Sequence, residues 1–312
     1  MFDISSFLPA ARLDIVVIAG LLFLVAGLLD YRFRLGRRGL SAAMAYVFPR
    51  ELYRRQRNSI GLLNYFLSLA LIFKGTGVAM SLFAAQAIAG MAAPFAGMPE
   101  WLGAAIQVGA VWLAHDFGNY CQHRLQHASP LLWRFHRPHH AAEVLTPFVQ
   151  VQGHPIDLLI GMSIEFPFTL AAATLALVVT GGEFHPAALA GLAGVAVLGQ
   201  LKGALGHSHV AICFGKWNRL LLAPVTHQIH HSAEARHHGR NFGSVFGMWD
   251  WLFGTLYVPE PGETWRLGLD TASLGADNPY QSAADIYCEP VSTAVAIAMR
   301  RAQGRVRPSI AP

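Results

Sequence analysis

Long apolar runs dominate the pattern of hydrophobic and polar positions along this chain. A helix that spans a bilayer needs about 20 mostly apolar residues. Leu13–Leu29 is the first such run, interrupted only by Asp14. Ile60–Ala93 is longer than one span requires and is broken by Lys74, Gly75 and Gly77. It predicts one tilted helix plus a re-entrant or interfacial piece. Trp101–Phe117, Ile156–Thr180 and Pro186–Leu205 follow. The last is rich in Gly and Ala, small residues that let membrane helices approach closely. The pattern predicts an all-α fold, a polytopic transmembrane helical bundle of about 4–5 spans. The first run does not read as a signal peptide, because no basic segment precedes it and Arg-rich sequence follows.

Composition agrees. Hydrophobic residues make up 54% of the 312 and charged residues 13%. The charged share is about half that of a typical soluble domain. So few charges cannot cover a soluble surface of this size, and the same numbers exclude a disordered chain. Cys121, Cys213 and Cys288 are too few for a disulfide framework.

The net charge of +5 is carried mainly by arginine. Arg32, Arg34, Arg37, Arg38, Arg50, Arg54, Arg55 and Arg57 crowd the connection between the first two runs. By the positive-inside rule this connection is cytoplasmic, and its closeness to two membrane segments argues against nucleic acid as a partner. The connection before Trp101 carries Glu100 and no nearby Lys or Arg, which fits the outer side. Counting spans then puts residues 118–155 inside, 181–185 outside, and the chain after about 206 inside. The expected location is an integral membrane protein of a bacterial inner membrane, or of the endoplasmic reticulum in a eukaryote.

Histidine is the unusual polar residue, with 15 copies against 18 acids. His115 sits just within the third run and His185 falls outside. The others collect in segments placed at or near the cytoplasmic face. Three clusters stand out: His123-Arg-Leu-Gln-His127, His136-Arg-Pro-His139-His140 and His227-Gln-Ile-His230-His231. His154 and the pair His207-Ser-His209 lie beside membrane ends of runs.

Residues four apart share a helix face, so His123 and His127 can bind one metal ion together. Asp116 and Tyr120 extend their stripe backward. Asp116 is either an acceptor that orients a ligand imidazole or a charge at the membrane interface. Each HxxHH cluster offers ligands at i, i+3 and i+4, on one face of a helix. Pro138 suits a turn entering a helix rather than a helix interior. A lone histidine is more often an interface or core residue than a ligand. Three multi-histidine clusters on one side of a membrane are far harder to explain in that way.

Imidazole suits zinc, copper, iron and nickel alike. A hydrolytic zinc site typically takes about three or four protein ligands, fewer than are available here. Copper(I) handling would favour Cys and Met, yet no CxxC pair is present. A two-iron centre that activates dioxygen fits the ligand number best.

These residues resemble the fatty acid hydroxylase and sterol desaturase superfamily of integral-membrane di-iron oxygenases, over about residues 110 to 258. Asp116-Phe117 with Tyr120, His123-Arg124-Leu125 and His127 looks like its first box. Pro130-Leu131-Leu132-Trp133-Arg134-Phe135-His136 leading to His139-His140 looks like its second. His154-Pro155 and Pro224-Val225-Thr226-His227-Gln228-Ile229-His230-His231-Ser232 continue the pattern. Asn241-Phe242-Gly243 and Trp249-Asp250-Trp251-Leu252-Phe253-Gly254-Thr255 look like its closing signature.

The resemblance implies a cytosolic histidine-rich helical cap over two iron ions, with O2 as co-substrate. Its implied ligands are His123, His127, His136, His139, His140, His207, His227, His230 and His231, with His154 as a tenth. Asp116, Tyr120, Asn241 and Asp250 are assigned to the catalytic site alongside them. The chain departs from the pattern at His209, where Asn is frequent, at Gly239, where Asp is frequent, and at Gln152, where Arg is frequent. His237 and His238 are additional.

Three parts follow: residues 1–109 with the N-terminal transmembrane helices and basic loop, 110–258 as the hydroxylase-like catalytic region, and 259–312 as a cytosolic tail. The expected activity is O2-dependent hydroxylation or desaturation of a lipid C–H bond, the lipid being a sterol, fatty acyl or related isoprenoid lipid. The chain shows no haem-binding or Cys-ligated iron–sulfur motif, so electrons are expected from a separate donor such as a ferredoxin or cytochrome. The rival readings are a membrane haem protein, which predicts histidines within facing spans, and a non-catalytic metal-binding or transport protein, which predicts polar residues along a membrane path. The tail carries little signal. Val291–Met299 is too short to span, and Arg300, Arg301, Arg305 and Arg307 suggest a frayed end.

Overall fold

A computed structural model describes residues 10–55, 77–90, 98–270, 278–280 and 282–303. Among the described residues there is no strand. Two isolated antiparallel bridges pair Leu221 with Phe246 and Ser232 with Leu267. The N-terminal part holds α1 (Ala10–Leu29), a π-helical turn at Asp30–Arg34, α2 (Leu40–Val47) and α3 (Arg50–Arg55). Then come α4 (Gly77–Ala89), α5 (Glu100–Ala128), α6 (Pro130–His140), α7 (Pro155–Thr180) and α8 (Pro186–Gly206). Short α9 (Pro224–His230) and α10 (Met248–Leu252) are followed by α11 (Ala283–Ala302).

Proline sets many of these boundaries. Pro130, Pro155, Pro186 and Pro224 each stand at the first turn of a helix, where a missing N–H is harmless and the fixed φ already suits a helix. The histidine clusters therefore fall at defined helix ends. His123 and His127 close α5, His136 to His140 close α6, His207 follows the last residue of α8, and His227 to His231 make up most of α9 and its end.

α7 and α8 are long and apolar enough to cross a bilayer. At 1.5 Å per residue the 26-residue α7 is about 39 Å long. These two, rather than four or five, are the helices of that kind among the described residues. α1 coincides with the first predicted run. α4 covers only part of the second and is too short to cross, while residues 60–76 and 91–93 of that run lie outside the described residues, as does Arg57. α5 contains the third run, but Gln107, His115 and Asp116 interrupt its apolar character.

α5 and α7 form the central pair. Their backbones meet at Gly118, where a Cβ would lie 3.1 Å from the Glu165 Cα. α8 packs against both α5 and α1. One core joins α4, α5 and α7 through Leu82, Ala85, Val111, Ala173 and Leu177, and a second joins α1, α2 and α8 through Phe23, Val47 and Leu205.

The end of the bundle remote from the three histidine clusters is closed by two glutamines. Buried Gln107 donates to Thr180 Oγ1 (2.7 Å) and to the Glu183 carbonyl (2.9 Å), and accepts from His185 N (3.0 Å). Gln86 bonds Gly182 and Phe184 in the same turn. Such ties satisfy backbone groups that have no partner within a helix.

The tail differs from expectation. α11 runs for 20 residues and docks on α6. Buried Arg137 of α6 donates to Glu289 Oε1 (2.5 Å) and to the Tyr280 hydroxyl (2.9 Å), and Tyr280 donates in turn to Glu289 Oε2 (2.6 Å). Asn278 bonds the Ala141 carbonyl just past the end of α6. The chain is held here because a buried guanidinium needs partners, which the terminal arginines did not indicate. Arg305 and Arg307 lie outside the described residues.

Candidate metal centre

The histidines converge into two groups. His123, His127, His136, His140 and His230 form one, and His139, His207, His227 and His231 the other. Within each group the ligand atoms lie within 4.8 Å of one another. Both HxxHH clusters are split between the groups. His136 and His140 of α6 go to the five-histidine group and His139 to the other; His227 and His231 of α9 go to the four-histidine group and His230 to the other.

Helix geometry accounts for the division. At about 100° per residue, positions i+3 and i+4 diverge by that angle around the axis. Adjacent histidines therefore aim at two different points, and the expectation of one shared face gives way to two. The groups adjoin, with the His140 and His231 rings stacked at 4.4 Å. Pro138 lies inside the last turn of α6, and the helix stops two residues later. A proline this close to the end disturbs little of the hydrogen-bond ladder.

Five of the nine rings are oriented from behind by an oxygen acceptor. Nδ1 of His123 bonds the Phe242 carbonyl (2.8 Å), that of His230 the Arg240 carbonyl (2.7 Å), that of His139 the Gln152 carbonyl (2.9 Å) and that of His207 the Gly203 carbonyl (2.8 Å). Nδ1 of His136 faces Asp157 Oδ2 at 3.0 Å. An oxygen acceptor at Nδ1 fixes the proton there and leaves Nε2 as a lone-pair donor.

Those Nε2 atoms point at one another. In the four-histidine group His207 Nε2 lies 3.2, 3.0 and 3.1 Å from Nε2 of His139, His227 and His231. In the other group Nε2 of His123, His127 and His230 is buried and without a hydrogen-bond partner. Two imidazoles bound to one ion at about 2.1 Å, at angles between 90° and 109°, place their nitrogens roughly 3.0–3.4 Å apart. The residues therefore fit two metal ions. Burial, reinforced by the neighbouring imidazoles, pushes His123, His127, His140, His227 and His231 far below the usual histidine range. Burial likewise takes His230 down to about 3. All six are neutral near pH 7, as metal ligation requires.

His154 is not brought into either group. Its Nδ1 accepts from Ile156 N (3.1 Å), capping α7, and its Nε2 faces the Tyr287 carbonyl (3.2 Å). His209 packs edge-on against Tyr46, His237 is buried against Glu263, and His238 is exposed.

The four residues assigned as catalytic also lie away from the ligand nitrogens. Asp116 accepts from Val245 N (2.9 Å), Phe246 N (3.1 Å) and Trp249 Nε1 (3.0 Å), so it orients no imidazole. Asp250 accepts from Phe242 N, Gly243 N and Thr255 Oγ1. Asn241, at φ 57°, bonds Thr226 and Tyr257 through both ends of its amide. Tyr120 meets Thr255 and Arg124. Together they hold the 240–257 loop on α5, and this loop presents the Arg240 and Phe242 carbonyls to His230 and His123.

Sequence reading missed Asp157, which takes the orienting role at His136. The available signal was an acid in the first turn of an otherwise apolar run. The carbonyl acceptors have no sequence signal at all.

An apolar groove of about 470 Å3 runs between α5 and α7, lined by Ile106, Leu113, Phe117, Leu175, Val179 and Trp249 among others. From Phe117 a chain of ring contacts passes through Tyr120 and Phe242 to His123.

Fold and site together define a helical protein with two apolar, membrane-length helices and two adjoining histidine groups that could each hold a metal ion. Residues 108–255, just under half of the chain, match the fatty acid hydroxylase family. It is 28% identical over 172 residues to the ornithine lipid hydroxylase OlsE of Rhizobium tropici, covering 55% of this chain and 48% of that protein. It is also 28% identical over 168 residues to the fatty acid hydroxylase vlmA of a Lecanicillium species, covering 51% and 44%. The chain thus spans about half the length of these curated relatives. No solved structure matches it.

Proposed function

We propose that this protein is a membrane-bound, O2-dependent oxidoreductase that hydroxylates, or desaturates, a C–H bond of a membrane lipid, using two iron ions held by the nine grouped histidines. The observation that carries this reading is the division of those histidines into a five-membered and a four-membered set. Iron, when bound, supplies the dioxygen chemistry that amino-acid side chains lack. The five-histidine set supplies nitrogens from α5, α6 and α9, and the four-histidine set from α6, α9 and the end of α8. The protein's work is to aim these imidazoles and to exclude water, the latter through the burial of the rings. The apolar groove between α5 and α7 suits an acyl chain. Similarity to proteins named as lipid and fatty acid hydroxylases supports the same reading.

The further elements belong to the same proposal: four or five spans, the metal centre on the cytoplasmic face, and a separate ferredoxin-like or cytochrome electron donor. Histidines gathered at helix ends do not match the facing-span arrangement expected of a membrane haem protein.

Purified protein loaded with ferrous iron should hold close to two irons per chain, and His139→Ala should abolish lipid oxidation without preventing membrane insertion. Mass spectrometry of lipids from a host with and without the protein separates the outcomes. A lipid gaining the mass of one oxygen indicates hydroxylation, and one losing two hydrogens indicates desaturation. Full O2-dependent turnover in the His139→Ala variant would refute the ligand assignment.

A further inference from the structure

The 240–257 loop does not simply cover the metal centre; part of it lies alongside the apolar portion of α5. Asp116 belongs to the run Trp101–Phe117, yet its carboxylate takes its hydrogen bonds from Val245 N, Phe246 N and the Trp249 indole. The Phe246 ring sits 4.8 Å from Trp112, a turn further into that run. The preceding segment is carried to the same level. Leu221 bridges Phe246, Leu222 N donates to the Val245 carbonyl (2.9 Å), and Gly247 N donates to the Leu220 carbonyl (2.9 Å). The 3-10 turn Gly215–Arg219 packs on α10 beside them.

The outer side of this unit is apolar. Trp217, Trp251 and Leu252 are 61%, 56% and 67% exposed, and Leu220, Leu221 and Phe253 are exposed as well. A contiguous patch of this kind is uncommon on a surface bathed in water. Its charges are of one sign. Lys216 lies over the Trp217 ring (5.9 Å), Arg219 over Trp251 (6.0 Å) and Arg124 over Phe253 (6.0 Å). The only acid within residues 213–222 and 244–258 is Asp250, which is fully buried. Exposed tryptophans interleaved with long basic side chains are the pattern that bilayer boundaries select: the ring sits among the upper acyl carbons and the cation reaches the phosphates.

We infer that this face is an interfacial anchor, inserted at the headgroup–acyl boundary of the leaflet on the histidine side, with Lys216, Arg219 and Arg124 at the level of the lipid phosphates. The inference rests on the membrane reading of the proposed function. Its occupant is the lipid surface itself, and the face is continuous with the lipid-facing part of the bundle. Trp249 both backs the anchor and lines the groove between α5 and α7. A lipid approaching the groove from this leaflet therefore meets the anchor first.

The full chain, reconstituted into vesicles of phospholipid brominated near the headgroup end of the acyl chains, tests this by tryptophan fluorescence. Difference spectra against Trp217→Phe and Trp251→Phe isolate the two anchor rings, and aqueous iodide serves as the opposing quencher. The expected result is that bromolipid lowers the emission of both rings about twofold or more while iodide has little effect, as for aromatic residues in interfacial belts. Brominated anionic lipid, at equal mole fraction, should quench them more strongly than brominated zwitterionic lipid, and Lys216→Gln with Arg219→Gln should remove that difference. Equal quenching by the two lipids in the wild type would overturn the placement of the cations. Quenching by iodide alone would put the face in water, and protection from both quenchers would put it against protein; either overturns the anchor. Difference spectra for Trp101→Phe and Trp112→Phe keep the two readings apart. If those rings are quenched by bromolipid and the anchor rings are not, the chain is membrane-inserted and only the anchor fails. If all four escape, the membrane reading fails too.

Discussion

Asp157 gives the sharpest test of how the centre is held, because its two carboxylate oxygens face two different donors. Oδ2 takes the Nδ1 proton of His136 at 3.0 Å, and Oδ1 takes Gln126 Nε2 at 2.5 Å. His136, Gln126 and Asp157 are all buried. Asp157→Asn leaves a single oxygen, so one donor would then face an N–H. The structure contains a remedy, since Gln126 Oε1 is buried without a partner. Turning the Gln126 amide over presents that oxygen to the new NH2 group and leaves the asparagine oxygen for His136. What is then lost is mainly the charge of the acceptor, about 1 kcal/mol, or roughly fivefold in metal affinity. Asp157→Ala has no such remedy, and loss of a carboxylate behind a ligand histidine typically lowers metal affinity or activity about 10–100-fold. Competition titration of ferrous iron against a chelator measures both variants, with thermal unfolding of the apo forms to separate site loss from fold loss. If Asp157→Ala binds both irons within twofold of wild type, Asp157 does not orient His136 and the reasoning fails.

His154→Ala should keep the wild-type metal stoichiometry by atomic absorption while lowering stability by about 1 kcal/mol, the usual effect of losing an N-cap; loss of one metal would restore His154 as a ligand. Gly206→Val should deplete the four-histidine site, because even a Cβ at Gly206 would lie 3.2 Å from His227 Cβ and 3.3 Å from its ring. Gly206→Ala should lose less, and equal metal content in all three proteins would refute the close packing. Glu289 controls the dock of α11. Burial pulls its carboxyl up, but hydrogen bonds from Tyr280, Thr293 and Arg137 outweigh that and hold it below the ordinary value of 4.5. A depressed carboxylate contributes stability above its unfolded value and loses it as pH falls through the lower folded one. Hydrogen exchange in α11 should therefore accelerate below about pH 4.5, and an unchanged rate down to full protonation would contradict the pairing.

Much of this centre was legible because its ligands are side chains at helical spacing. The apolar runs located α1, α7 and α8, and the three histidine clusters contain eight of the nine grouped ligands, His207 being the ninth. What orients those ligands was much less legible. His123, His139, His207 and His230 each lean on a main-chain carbonyl, and a carbonyl looks the same in every residue type. The exception is Asp157, a side chain whose placement in an apolar run was a readable anomaly. His154 misled for the opposite reason: a histidine followed by proline at a helix start is equally suited to capping, and in the fold its Nδ1 accepts from Ile156 N. The motif acids Asp116 and Asp250 misled similarly, since a buried carboxylate that gathers backbone N–H groups is indistinguishable in sequence from one that serves a ligand. Arg137 stood unnoticed among histidines, so the docking of the C-terminal helix could not be foreseen.

The division of the two HxxHH clusters has a mechanical consequence. α6 and α9 each supply histidines to both groups, so neither helix can shift without moving ligands of both. His123 and His127 on α5 belong to one group only, and His207 after α8 to the other. Both shared helices are held from outside. Ser129 caps the start of α6, Gln152 bonds its Pro138 carbonyl, and Arg137 with Asn278 ties its last turns to the C-terminal segment. α9 is held through Gln228, which donates to the Leu205 and Val210 carbonyls on either side of His207, and through Asn241, which bonds the Thr226 carbonyl. Motifs far from the ligand nitrogens thus act on the centre by fixing two short helices. This explains why the 240–257 loop and the C-terminal helix surround the histidine cap without contributing a ligand to either group.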